Sequence, residues 1–204
     1  MQAMPELHWF ENDGGPLAVM PRDPAPLWEG GALPSRGRVV HADFRYDGEV
    51  ATDYDRACDV NEPAQVLDAG DGWVLVLGGV VQRAAWYPLA RRSEFAVISV
   101  EWLPDTGVAA LAALYSEQPA SNWKRIGSEV RVGDGGLVLM HAAGRVGEDA
   151  ERSYDAPGPS YIGDAIVFPA APGRYGLEAC QIIDHRDPRV TSAAAFVRFS
   201  RVPR

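Results

Sequence analysis

Turn signals constrain this chain more than any other feature. Asp-Gly and Gly-Gly pairs recur, and three of them open onto short, almost unbroken apolar runs. Asp13-Gly14-Gly15 leads into residues 16–20, Asp71-Gly72-Trp73 into 74–78, and Asp134-Gly135-Gly136 into 137–140. These pairs supply the positive φ that tight hairpin turns demand. An apolar run of this length between turn signals fits a strand buried on both faces. The second and third segments resemble each other, through duplication or through shared hairpin chemistry. With 21 Gly and 16 Pro among 204 residues, a chain of many turns and few long helices is expected.

Further strands are predicted over residues 94–102, 123–132, 165–168 and 174–183. In the fourth of these, Tyr175, Leu177, Ala179 and Gln181 share a face. Residues 194–202 alternate and read as a half-buried or edge strand. Two helices are expected. One covers 107–117 behind an Asp105 or Thr106 cap, with Val108, Leu111, Ala112 and Tyr115 on one face. The other covers 52–60, where Thr52-x-x-Asp55 forms a capping box with Asp in place of Glu. There Tyr54, Ala57 and Cys58 share the inward face, and Asp53, Asp55 and Asp59 point elsewhere. Residues 144–163 and 36–47 read as long polar loops. The expected fold is α+β, mostly β, with antiparallel sheets and two short helices. It is one compact unit of residues 1–204, with a subdivision into 1–119 and a β-rich 120–204 kept open.

Charge narrows the partner. The net charge is −9, and residues 43–71 hold nine acids against Arg45 and Arg56. A nucleic-acid binder needs a basic stripe to displace counterions, and an anionic membrane would repel this chain. A solvated acidic face is the bland reading; a docking face for a basic protein is the sharper one. A single lysine among 19 cations points to a GC-rich bacterial genome. With neither a secretory signal nor an apolar run of membrane-spanning length, a cytoplasmic protein is expected.

No residue pattern identifies a reaction. The four histidines are isolated, no Cys or His pair has zinc-ligand spacing, and the Asp53-x-Asp55 start of a calcium loop goes no further. Cys58 and Cys180 read as free thiols, with a disulfide as the alternative. There is no nucleophile elbow and no phosphate-binding glycine loop. Asp184-His185-Arg186-Asp187 is the best acid–base cluster, and a turn before Pro188 explains it equally well. No catalytic residue, cofactor or metal is therefore assigned. The six tryptophans fill a β core or line a cleft, so a small-ligand-binding β module remains the alternative function.

One set of residues resembles a known family. Residues 9–17 (Trp-Phe-Glu-Asn-Asp-Gly-Gly-Pro-Leu), Trp28-Glu29-Gly30, Asp53-Tyr54-Asp55-Arg56-Ala57-Cys58 and Val74-Leu75-Val76-Leu77-Gly78 are similar to the immunity protein 21 family of bacterial polymorphic toxin systems. The likeness covers residues 8 to about 115. It continues loosely through Asp134-Gly135-Gly136-Leu137 and Pro172-Gly173-Arg174-Tyr175. It implies a mostly β intracellular protein that neutralises a cognate toxin by binding, without catalysis or cofactor. Its W-x-G and Y-x-x-x-C marks map to Trp28, Gly30, Tyr54 and Cys58, which the residues themselves present as scaffold. The toxin contacts are expected beside them, on Asp43, Asp47, Glu49, Asp53, Asp55, Asp59 and Glu62.

Overall fold

The computed structural model describes residues 7, 9–12, 14–23, 26–31, 33–35, 51–89, 94–101, 108–145, 160–162, 165–183 and 194–203. Among the described residues thirteen strands form two antiparallel sheets, and two short α-helices accompany them. In chain order the strands are β1 (Trp9–Glu11), β2 (Leu17–Pro21), β3 (Ala64–Ala69), β4 (Gly72–Leu77), β5 (Arg83–Pro88), β6 (Glu94–Val100) and β7 (Lys124–Arg125). They continue as β8 (Val130–Val132), β9 (Leu137–His141), β10 (Ser160–Ile162), β11 (Ala165–Phe168), β12 (Gly173–Ile182) and β13 (Ala194–Arg201). The helices are α1 (Asp53–Cys58) and α2 (Val108–Glu117).

One sheet runs β1-β5-β6-β13-β12-β7, with β8 also on β12; the other runs β10-β11-β9-β2-β4-β3. Each sheet is thus joined at its centre by a strand from either side of residue 120: β6 pairs β13, and β2 pairs β9. The order repeats. An outer strand of the first sheet, a central strand of the second, a hairpin in the second and a hairpin in the first occur once in β1–β6 and again in β7–β13. The Asp-Gly-Gly segments at 13 and 134 lead into the two equivalent strands, β2 and β9. The apparent likeness of the second and third segments joins β4 to β9, which hold different places in the sheet.

Alternation explains the unbroken apolar runs. Leu17, Val19, Leu75, Leu77, Leu137 and Leu139 point between the sheets, into a core shared with Phe95, Val97, Val197, Phe199, Tyr175 and Leu177. Their neighbours Ala18, Met20, Val74, Val76, Val138 and Met140 point outward, under Trp28, Ala57 and Val60. Aromatic rings tie the sheets together, with Trp86 stacked on Phe168 at 6.2 Å and Trp73 6.4 Å from Phe199. Leu114 and Tyr115 of α2 cover the outer face of the first sheet around Ile98 and Phe196. Of the apolar face expected on α2, only the Tyr115 side chain falls among the described residues.

Three expectations are corrected. Residues 194–202 do not form an edge or half-buried strand: β13 lies between β6 and β12 and is buried on both faces. Its Arg198, which suggested exposure, lies over the Trp123 ring at 4.4 Å and pairs with Glu178. Residues 123–132 form two short strands, because Gly127 takes φ +63 between them. Residues 160–162, read as loop, pair with β11. Strands β1, β3 and β5 were not foreseen. The loop at 36–47, most of the loop at 144–163 and the Asp184–His185 cluster lie outside the described residues.

Candidate partner-binding face

Helix α1 is too short to hold itself, and its stability comes from its ends and its cover. Thr52 caps it: its Oγ1 accepts from the Asp55 N–H at 3.1 Å, and the Asp55 carboxylate accepts from the Thr52 N–H at 2.7 Å. The capping box expected from the sequence is therefore present. Ala57 is buried and Tyr54 half-buried against the outer face of the second sheet, as their spacing predicted.

The expectation that Asp53 and Asp55 are displayed is corrected. Both are fully buried. Asp55 is turned back into the capping box. Asp53 accepts from the Glu29 N–H at 2.8 Å, from the Ser35 hydroxyl and from Arg56 Nη1 at 2.8 Å. Arg56 is buried too, and its Nη2 donates to the Asp68 carbonyl at 2.7 Å. Segment 28–35 lies across the helix face that periodicity alone had assigned to solvent. These carboxylates form a structural knot and offer no surface to a partner. Asp59 is half-exposed and Glu62 exposed, whereas Asp43, Asp47 and Glu49 lie outside the described residues.

The remaining motif residues meet at the same place. Trp28 is buried, and its indole N–H donates to the Ala142 carbonyl at 2.9 Å. Gly30 has φ +59, and a Cβ there would stand 2.2 Å from the Ala143 oxygen. Its carbonyl accepts from the Tyr54 N–H at 3.0 Å, and Gly31 N–H donates to Ala143 O at 3.0 Å. His141, which sequence reasoning had left isolated, completes the junction. Its ring lies 5.6 Å from that of Tyr54, its Nδ1 accepts from the Ala143 N–H, and its Nε2 is 3.3 Å from the Gly14 carbonyl. That pattern suits the neutral tautomer carrying its proton on Nε2. Trp28, Gly30 and Tyr54 are thus scaffold, locking segment 28–35 and α1 onto the turn after β9.

Cys58 ends the helix at the rim of a depression of about 300 Å³ bordered by Pro16, Asn61 and Gly79. Both cysteines are free thiols. Burial lifts the Cys58 thiol above its ordinary value, the Tyr54 hydroxyl opposes the rise, and the Asp55 and Asp59 carboxylates add to it. The thiolate is the reactive form. Alkylation of Cys58 by iodoacetamide is therefore expected to lag behind that of glutathione at pH 7. Its rate should still be rising with pH beyond the range of about 8–9 in which a free thiol's levels off. A labelling rate measured against pH checks this.

From Cys58 the chain forms a ridge, Asp59-Val60-Asn61-Glu62-Pro63, between α1 and β3. On one side Pro63 borders a small depression with Glu101 and the exposed Val80. On the other, Glu62 and Pro63 border a cleft of about 690 Å³ that reaches Lys124, Arg125 and the exposed Ile183. The ridge thus carries the acidic Asp59 and Glu62 between two depressions that include the exposed Val80 and Ile183. Among the described residues no group of three His, Cys, Asp or Glu side chains is placed to hold a metal ion. No helix among them is long and apolar enough to cross a membrane.

Comparison with known families decides the relationship. The profile of the immunity protein 21 family matches residues 8–187. The chain belongs to the immunity protein 21 family. The match runs from β1 through β12, beyond residue 115 where the clearest sequence likeness ended. Comparison with curated proteins and with solved structures finds no match.

Proposed function

We propose that this immunity-family chain binds and neutralises a cognate bacterial toxin stoichiometrically, by covering its active site or substrate path. The family match over residues 8–187 carries the reading. On this reading the protein acts in the cytoplasm of a bacterium with a polymorphic toxin system, as one unit of residues 1–204, without a reacting residue or cofactor. The toxin is a basic protein, and Asp59 and Glu62 on the α1–β3 ridge meet its cations, together with Asp43, Asp47 and Glu49. Complementary charge of this kind speeds encounter and selects the partner.

Co-expression tests the function. A toxin domain encoded beside this gene should kill alone, and should be tolerated, in a 1:1 complex, when this chain is present. Lethality that this chain does not relieve, with no complex formed, sinks the proposal. For the ridge, an Asp59→Lys/Glu62→Lys variant is expected to weaken association roughly tenfold, mainly through a slower on-rate. It should also flatten the salt dependence, since exposed charges are screened beyond about 10 Å at 0.1 M salt. Unchanged affinity and salt slope would remove the ridge from the interface and leave the immunity reading standing.

A further inference from the structure

Lys124 is the only lysine in the chain, and the strand registers aim it at a cleft. It pairs with Ala179 of β12. Directly paired residues carry their side chains on the same face of a sheet. Ala179 belongs to the core between the sheets, so Lys124 stands on that side. Its neighbours stand on the other side: Trp123 lies under Arg198, and Arg125 pairs with Glu178. The Lys124 side opens on the cleft of about 690 Å³ between β3 and β7, the outermost strands of the two sheets.

Residue size explains why this space exists. Trp86, Val97, Val197 and Ala179 are successive cross-strand neighbours in the first sheet, all within the core. At one end of the row the Trp86 ring stacks on Phe168 of the opposite sheet. At the other end Ala179 and Ala64 supply only methyl groups, which form a buried floor. The accessible apolar lining is Ile183, 47% exposed, with the half-buried Val66 and Ile126. Gln181 follows Ala179 by two residues, so it shares that face, and it is exposed at the cleft.

Charge and shape select the occupant. Lys124 is exposed, and among the described residues it is in no ion pair. Glu62 borders the same cleft from the β3 side without pairing with it. An ammonium group beside an apolar lining complements an anion that carries an apolar body. The volume lies within the range of about 300–1,000 Å³ usual for small-molecule sites. The ridge has the opposite sign and calls for cations, so the cleft takes a different ligand. We infer that the cleft binds a small amphipathic carboxylate. Its head meets the Lys124 ammonium and the Gln181 amide, and its tail lies along Val66, Ile126 and Ile183. This site stands independently of the immunity reading, and its test needs no toxin.

Octanoate below its micellar range is the probe. Reductive methylation with isotope-labelled methyl groups keeps the charge and marks only Lys124 and the α-amine. In a magnetic-resonance titration the Lys124 signal should shift with octanoate and saturate. Acetate at the same concentrations should leave it near its starting position, and the α-amine signal should follow neither titration. A Lys124 shift that rises linearly, or that acetate reproduces, overturns the site. Calorimetry on the unlabelled chain supplies a second readout. Lys124→Met changes one exposed side chain and should leave the melting temperature unchanged. It should weaken octanoate binding about fivefold, the scale of one charge-assisted contact at an exposed site. Octanol should bind the wild-type chain about fivefold more weakly than octanoate on the same ground. Equal octanoate affinity in wild type and Lys124→Met, or equal affinity for octanol and octanoate, overturns the proposal.

Discussion

Replacing Asp53 with alanine is expected to lower the unfolding free energy by about 3–5 kcal/mol, the range for removing one partner of a buried ion pair. The Arg56 guanidinium would keep its place, 5% exposed, without the carboxylate that neutralises it. Glu29 N–H and the Ser35 hydroxyl would lose their acceptor at the same stroke. In a chain of this length each kcal/mol shifts the melting temperature by about 2–4 °C, so a fall of roughly 6–20 °C should appear in a thermal melt. Glu62→Gln on the exposed ridge is the control, expected to stay within about 0.5 kcal/mol of wild type. An Asp53→Ala melt that matched the control would mean that Asp53 is not buried against Arg56. The contrast also separates two roles that the sequence presents as one acidic cluster. Loss of Asp53 should damage the fold, while changes at Asp59 and Glu62 should damage only association.

The reason these roles were merged is physical. Periodicity states which residues of α1 share a face, and it placed Tyr54 and Ala57 inward correctly. It is silent on whether a distant segment covers the other face. Segment 28–35 does so here, through Glu29 and Ser35. One signal did point to burial. A capping-box carboxylate is already engaged with the backbone of its own cap, so Asp55 was never available as a displayed charge. Arg56, three residues after Asp53, was the local partner to look for.

For the strands, legibility followed burial. Runs buried on both faces, such as β2, β4 and β9, stand out because both sets of alternating residues are apolar. The missed β3 and β5 carry Gln65, Asp68, Arg83 and four alanines, residues of low strand propensity held there by their neighbours. Arg83 is satisfied 4.7 Å above the Trp9 ring, a contact invisible until β1 and β5 pair.

Gly30→Ala should be the most damaging single methyl addition near the motif residues, expected to cost about 4 kcal/mol or more, a magnitude that marks strain or burial faults. Two effects combine. The backbone at Gly30 has φ +59, which costs an L-residue roughly 1–2 kcal/mol. The new Cβ would also stand 2.2 Å from the Ala143 oxygen and 2.5 Å from the Gly144 oxygen. Both obstacles are backbone, so no side chain can swing away. Relief requires segment 28–35 to lift from the turn after β9. That would break the Gly31 N–H to Ala143 O bond, loosen the Trp28 indole from Ala142, and free the cover over Asp53. Gly79→Ala isolates the first effect, because Gly79 also has positive φ, +82, yet nothing lies within 4 Å of its added methyl. Denaturant melts of the two variants should therefore differ by several kcal/mol although the mutations are chemically identical. Equal losses would mean that only backbone conformation is at stake. A much larger loss at Gly30 would show that the W-x-G mark is kept by the close approach of two chain segments. The family signature would then sit beneath the proposed partner-binding ridge as its support.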